Sequence, residues 1–238
     1  MQRFYFKDLE TTNFSFILKE ENLIRQITKV LRAKIWDRFI FFNWEDFIDY
    51  IFEIKEIKKN EIIFEQVGRI EKNNQIKLEL NLFQALPNKI DKIESIIKNW
   101  TQIWISNFLF FRSDRSQKIN ITDKKIERFK KIILEASEQC GRNTIPEILF
   151  WEKPVLTKLE WLNIFLHTKN DNSKLLKDLE IWENKVINIF VGPEGGFSDD
   201  EVWKFERNNL ERVFLWDNIL RTELAWISTS FYLIQNNL

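Results

Sequence analysis

Apolar and polar positions change their spacing part-way along the chain. In the first part, short runs at residues 39–42, 47–54 and 61–67 are rich in Phe and Ile and broken by polar residues, the pattern of short strands. They predict a small β-barrel or sandwich. Ahead of them, Leu23, Ile27, Val30 and Leu31 recur at helical spacing, while Arg25, Lys29 and Arg32 fall at i, i+4 and i+7 on another face of the same expected helix. A polar stretch at 69–75 follows. Beyond it, strand-like runs at 76–83, 161–166, 186–191 and 213–216 alternate with helical patterns, which predicts a mainly parallel α/β sheet. The change of pattern divides the chain into expected domains 1–73 and 74–238.

Composition adds two constraints. Hydrophobic residues make up 44% and charged residues 30%, as in an ordinary folded domain. Yet 10 Trp and 22 Phe stand beside only 5 Gly, so each glycine is expected where the backbone needs a conformation other residues resist. Lys plus Arg equals Asp plus Glu at 36 each, so no global positive field draws in nucleic acid and any such contact needs a local patch. Two patches qualify: the face of Arg25, Lys29 and Arg32, and the zone 112–131, where Arg112, Arg115, Lys118, Lys124, Lys125, Arg128, Lys130 and Lys131 outnumber the acids. Each is either a solvated surface or a phosphate-contacting one. With one Cys and one His, no metal site is expected, and Cys140 is expected to pack rather than react. The chain starts without a basic-then-apolar leader and has no apolar run approaching about 18 residues, so a cytoplasmic protein with no membrane partner is expected.

The most informative local feature is Val191-Gly192-Pro193-Glu194-Gly195-Gly196-Phe197, which follows a buried-looking strand and precedes the capping box Ser198-Asp199-Asp200-Glu201. It reads as strand, glycine loop, helix. Such loops at the carboxyl ends of strands bind ligands in α/β sheets, and glycines let backbone amides come close. A Cβ added at Gly195 is expected to intrude on that space. The loop has neither the GK[ST] of a P-loop nor a GxGxxG fingerprint, so ATP and dinucleotides are poorly supported. Spacing alone leaves the ligand open.

The stretch VGPEGGFSDDE, followed by Ile219-Leu220-Arg221-Thr222-Glu223-Leu224-Ala225, closely resembles the paired motifs of the RsmE family of 16S rRNA uridine-N3 methyltransferases. The segment Glu135-Ala136-Ser137-Glu138-Gln139-Cys140-Gly141-Arg142-Asn143, the Val30-Leu31-Arg32 triplet and the Arg3-Phe4 start are similar to it as well. The resemblance implies a PUA-like, RNA-binding β-barrel domain followed by a SPOUT α/β trefoil-knot domain, working as a homodimer on 16S rRNA of the small ribosomal subunit. The implied cofactor is S-adenosylmethionine, held by Leu166 and His167, by Val191, Gly192, Pro193, Glu194, Gly195 and Gly196, and by Leu215, Trp216, Ile219 and Leu220. The implied RNA-contacting residues are Arg3, Arg25, Lys29, Arg32 and Arg142. Some positions depart from the family: Trp216, Asp217 and Asn218 stand where it usually has a glycine and then a basic residue, Leu224 replaces a Thr, and Thr101-Gln102-Ile103 stands where Glu-Leu-Gly is expected. A bulky Trp216 is expected to crowd the adenosine.

Uridine N3 carries a proton at neutral pH, so methyl transfer to it needs proton loss as well as alignment. Arg221 is the first candidate, balancing charge on the uracil oxygens, with Glu194 and Glu223 as candidate proton acceptors. The competing reading is a non-catalytic RNA-binding assembly factor on the same scaffold.

Overall fold

The structure is a computed structural model that describes residues 1–7, 9, 14–72, 78–154, 156, 159, 161–168, 173–179 and 186–236, the side chain of Glu223 excepted. The chain divides into two compact units, Met1–Gln75 with Ser137–Thr144, and Ile76–Ala136 with Ile145–Leu238.

The first unit holds strands β1 (Arg3–Tyr5), β2 (Ser15–Leu18), β3 (Arg38–Phe42), β4 (Ile48–Ile57) and β5 (Ile62–Glu71). They form one curled sheet in the order β1-β3-β4-β5-β2, antiparallel except for the β1–β3 pair. Its inner face is aromatic: Phe4, Phe39, Phe41, Phe52 and Phe64 are buried together, with Phe41 edge-on to Phe64 at 5.0 Å between centroids. β5 runs on to Glu71, so the polar stretch that starts at Arg69 begins as strand.

The helix expected to carry Arg25, Lys29 and Arg32 on one face does not continue that far. Regular α1 is Glu21–Arg25; residues 26–30 widen to π-type bonding, Leu31 N donating to Gln26 O at 2.9 Å, and Arg32 leaves the helix with a φ of 53°. Leu23 and Ile27 are buried, but Val30 and Leu31 face out. The three basic side chains are exposed without sharing one α-helical face.

The two other arginines expected at RNA are placed inward. Arg3 is buried, its guanidinium forked onto Asp49 (Nη2 to Oδ1 2.7 Å, Nε to Oδ2 3.2 Å), stacked 3.9 Å over the Phe42 ring and donating to the carbonyls of Ser137 and Arg142. Arg142 is also buried, its Nε donating to Thr144 Oγ1 at 2.9 Å, and burial above all pulls it down to about 10. These bonds tie the segment Ser137–Thr144 into the first unit. Cys140, expected to pack, is exposed.

The second unit is a seven-stranded sheet in the order β10-β12-β9-β11-β6-β7-β8, every recorded pair parallel. Its strands are β6 (Glu79–Ala85), β7 (Asn107–Phe111), β8 (Glu147–Trp151), β9 (Leu162–Leu166), β10 (Lys174–Leu175), β11 (Val186–Val191) and β12 (Glu211–Phe214). Helices α2 (Ile90–Gln102), α3 (Asp123–Cys140) and α5 (Thr222–Gln235) bring Ile93, Ile97, Phe129, Ile133 and Leu233 against one face, where Leu80, Leu82, Phe108, Ile187 and Ile189 point. On the other face α4 (Asp199–Arg207) sets Val202 and Phe205 against Phe83, Phe165 and Phe190. Burial on both faces explains why these strands read as apolar runs rather than alternations. The parallel order β12-β9-β11 brings the carboxyl ends of these three strands side by side.

Candidate functional site

A cavity of about 350 Å³ lies at those three strand ends, within the range of small-ligand sites. One wall is Leu166 to Thr168 after β9, the second Val191 to Phe197 after β11, and the third Leu215 to Leu220 after β12, with Thr222 and Ala225 from the first turn of α5. Thus Leu166, His167, Val191, Gly192, Pro193, Glu194, Gly195, Gly196, Leu215, Trp216, Ile219 and Leu220, expected together from sequence, border one cavity.

The glycine loop is a tight turn, Gly196 N donating to Pro193 O at 2.9 Å. Gly196 has a φ of 68°, and a Cβ there would point into open space. Gly192 is needed for closeness: a Cβ would sit 3.2 Å from the Gly196 backbone and 3.3 Å from Phe197 N. Gly195, the expected intolerant position, lies outside the left-handed region, and its Cβ would meet only the Arg115 side chain at 3.6 Å. Within the protein itself, close approach therefore constrains Gly192 and backbone strain constrains Gly196. Beneath the loop, the buried Gln84 donates from Nε2 to Ala85 O at 2.8 Å and Gly192 O at 3.2 Å. Beyond it the capping box is complete, Glu201 N donating to Ser198 Oγ and Ser198 N to Glu201 Oε2.

Glu194 is committed to the loop. Its carboxylate takes a 2.6 Å bond from Lys92 Nζ and a 3.2 Å bond from Asn88 N. Partial burial pushes its pKa up, but Lys92 and the backbone N–H groups outweigh that and hold it below the ordinary carboxylate range. Such a carboxylate is a weak proton acceptor. His167 is anchored locally, its backbone N–H donating to Val213 O at 2.9 Å and its ring Nδ1 lying 3.2 Å from the Thr168 hydroxyl.

Arg221 caps α5, its carbonyl accepting from Leu224 N and Ala225 N, and its side chain is exposed beside the cavity-lining Leu220 and Thr222. The Glu223 side chain lies outside the described residues. Sequence reasoning placed Arg115 only in a general basic zone, whereas it borders the cavity and donates to Gly195 O at 2.8 Å. Others in that zone have partners too: Arg112 with Glu152 and Ile119 O, Arg128 with Glu94, Lys125 with Asn120 O.

Residues 74–233 match the family model of the RNA methyltransferase domain. The chain is 32% identical over 234 residues to the ribosomal RNA small subunit methyltransferase E of Buchnera aphidicola, covering 94% of this chain and 88% of that protein. It is 31% identical over 237 residues to the protein of the same name from Rickettsia conorii, covering 95% and 92%. Among solved structures, a protein from Legionella pneumophila in complex with the bound cofactor SAM matches with a TM-score of 0.82 at 25% identity, over 99% of this chain and 97% of that one. A ribosomal RNA small subunit methyltransferase E from Neisseria gonorrhoeae bound to S-adenosyl methionine matches with a TM-score of 0.83 at 22% identity, over 99% and 96%.

Proposed function

Because the chain belongs to the ribosomal RNA small subunit methyltransferase E family, we propose that it transfers a methyl group from S-adenosylmethionine to N3 of a uridine in 16S rRNA. The observation that carries this reading is the single cavity walled by three parallel strand ends, with a glycine loop as one wall. Its residues fit the cofactor: open space at Gly196, backbone edges at 166–168 and 215–220, and apolar Leu166, Leu215 and Leu220 for a purine. When bound there, the cofactor supplies an activated methyl group with a good leaving group. The chain's part is then to hold the base in line with that methyl and to manage one proton.

In this reading Arg221 sits at the cavity mouth, where its planar guanidinium can balance the charge that develops on the uracil oxygens as N3 loses its proton. Glu194, held ionised by Lys92, positions the loop, which leaves Glu223 or solvent to accept the proton. The RNA itself is held by exposed cations of the first unit, Arg25, Lys29 and Arg32. The homodimer, the knotted chain path and the cytoplasmic setting of a small-subunit rRNA enzyme belong to the same proposal.

Trp216 on the cavity rim favours one second reading, an RNA-binding assembly factor with little affinity for the cofactor. Calorimetry with S-adenosylmethionine, followed by tritiated methyl incorporation into small subunits lacking the modification, separates the two. Binding and a methyl located on uridine N3 by mass spectrometry are expected. No heat at millimolar cofactor would leave the scaffold reading, and a methyl on C5 or ribose would overturn the N3 chemistry.

A further inference from the structure

Tryptophan sits in this fold where tryptophan is hard to accommodate. Trp36, Trp104 and Trp161 have φ values of 79°, 70° and 74°. Any Cβ is penalised there, and a bulky aromatic is an outlier where glycine is at ease. Trp36 and Trp161 gain little burial in exchange, being 65% and 53% exposed. In the second unit, Trp100 on α2 and Trp226 on α5 are both fully buried with ring centroids 2.6 Å apart, whereas packed rings need about 4.5 Å or more. The space takes one indole, not two. The Trp226 Nε1 also finds no hydrogen-bond partner among the described residues, although a buried indole N–H usually has one.

Two positions join these to the family pattern. Trp216, 64% exposed on the cavity rim, stands where the resemblance places glycine. Trp104, which directly follows the Thr101-Gln102-Ile103 that stands in place of the family's Glu-Leu-Gly, has the left-handed φ at which a glycine is at ease.

We propose that Trp36, Trp104, Trp161, Trp216 and Trp226 are glycine positions of this fold, and that the cell carrying the gene fills them with glycine by reading a UGA codon as glycine. A cause at the codon level accounts for all five positions together and for a chain with 10 Trp beside 5 Gly. Independent substitutions would have to fall repeatedly on sites where an indole fits worst. Glycine at 216 also widens the cofactor cavity, a part that rests on the methyltransferase reading; the rest does not.

Tandem mass spectrometry of the protein isolated from its native cells tests the proposal directly. Glycine is expected in the peptides spanning these five positions, and tryptophan there overturns it. In a recombinant chain carrying tryptophan throughout, Trp36→Gly and Trp104→Gly should each raise the urea midpoint by more than the matching alanine variants, since only glycine relieves the positive φ. Trp203→Gly, inside α4, should lower it. Glycine variants no better than alanine ones would overturn the conformational basis. Calorimetry on Trp216→Gly should show at least tenfold tighter S-adenosylmethionine binding than the tryptophan form. Equal binding by both removes position 216 from the proposal, whereas no binding by either counts against the methyltransferase reading and leaves the glycine proposal to the other measurements.

Discussion

At the scale of single residues, charge placement follows partners far away in the sequence. Arg3 lies against Asp49, Asn143 and the carbonyls of 137 and 142, so removing it strands a buried carboxylate. Arg3→Ala is expected to destabilise the first unit by about 3–5 kcal/mol, read as an early transition in urea unfolding followed by a probe in that unit. A loss below 1 kcal/mol would mean that Lys72, 2.9 Å from Asp49, compensates alone. Glu194 gives a pH test. Its folded pKa is lowered, so its contribution to stability is present above the ordinary value of 4.5 and is lost as pH falls through the lower folded value. The urea midpoints of wild type and Glu194→Gln should differ at pH 7 and converge at pH 3; a gap that persists at pH 3 contradicts the Lys92 pairing. Arg221→Lys keeps the charge and loses the fork. It should leave cofactor affinity nearly intact and slow methyl transfer at least about tenfold, roughly 1.4 kcal/mol of transition-state stabilisation; an equally fast variant removes Arg221 from the chemistry.

At the scale of elements, the loop and helix after β11 act as one device. The capping box starts α4 where the glycine turn ends, and Glu201 also accepts from Asp114 N at 3.0 Å. Ser198→Ala should cost about 1 kcal/mol and weaken cofactor binding modestly, whereas Gly196→Val should abolish binding, since it adds both strain at φ 68° and bulk. Calorimetry and urea unfolding on the same two variants distinguish the effects. This device was legible in the sequence because its parts are contiguous: apolar run, glycines, serine, then glutamate three residues on. β11, an apolar run covered on both faces, was legible for the same reason. The strands β1, β2, β7, β8 and β10 were not marked out: β1, β2 and β10 are two to four residues long, too short to carry a period. Arg115 was not assigned to the cavity because β7 and β11 are joined there only by tertiary structure. The basic stripe at 25–32 was misjudged because periodicity assumes a regular helix, and the backbone widens after Arg25.

At the scale of the whole molecule, net charge is zero, so long-range attraction to RNA must come from how the charges are distributed. Several cations of the 112–131 zone already hold carboxylates or carbonyls, which reduces what they can offer to phosphates. Among the described residues, the side chains of Arg25, Lys29 and Arg32 have no hydrogen-bond or ion-pair partner, and all three are exposed. They cluster within eight residues, where the helix opens and the chain turns at Arg32. If each contacts one phosphate, each contributes about 0.7–0.9 to the slope of log affinity against log salt. The triple variant Arg25→Ala, Lys29→Ala, Arg32→Ala should therefore flatten that slope for 16S rRNA fragments by about 2–3, with fold and cofactor binding unchanged, because none of the three is buried. A filter-binding series across salt concentrations measures this directly. A parallel triple variant at Lys124, Lys125 and Arg128 should flatten the slope less, since Lys125 and Arg128 are already engaged. Equal slopes for wild type and the first variant would return Arg25, Lys29 and Arg32 to a merely solvated surface, and would move the search for the RNA-binding face to the second zone.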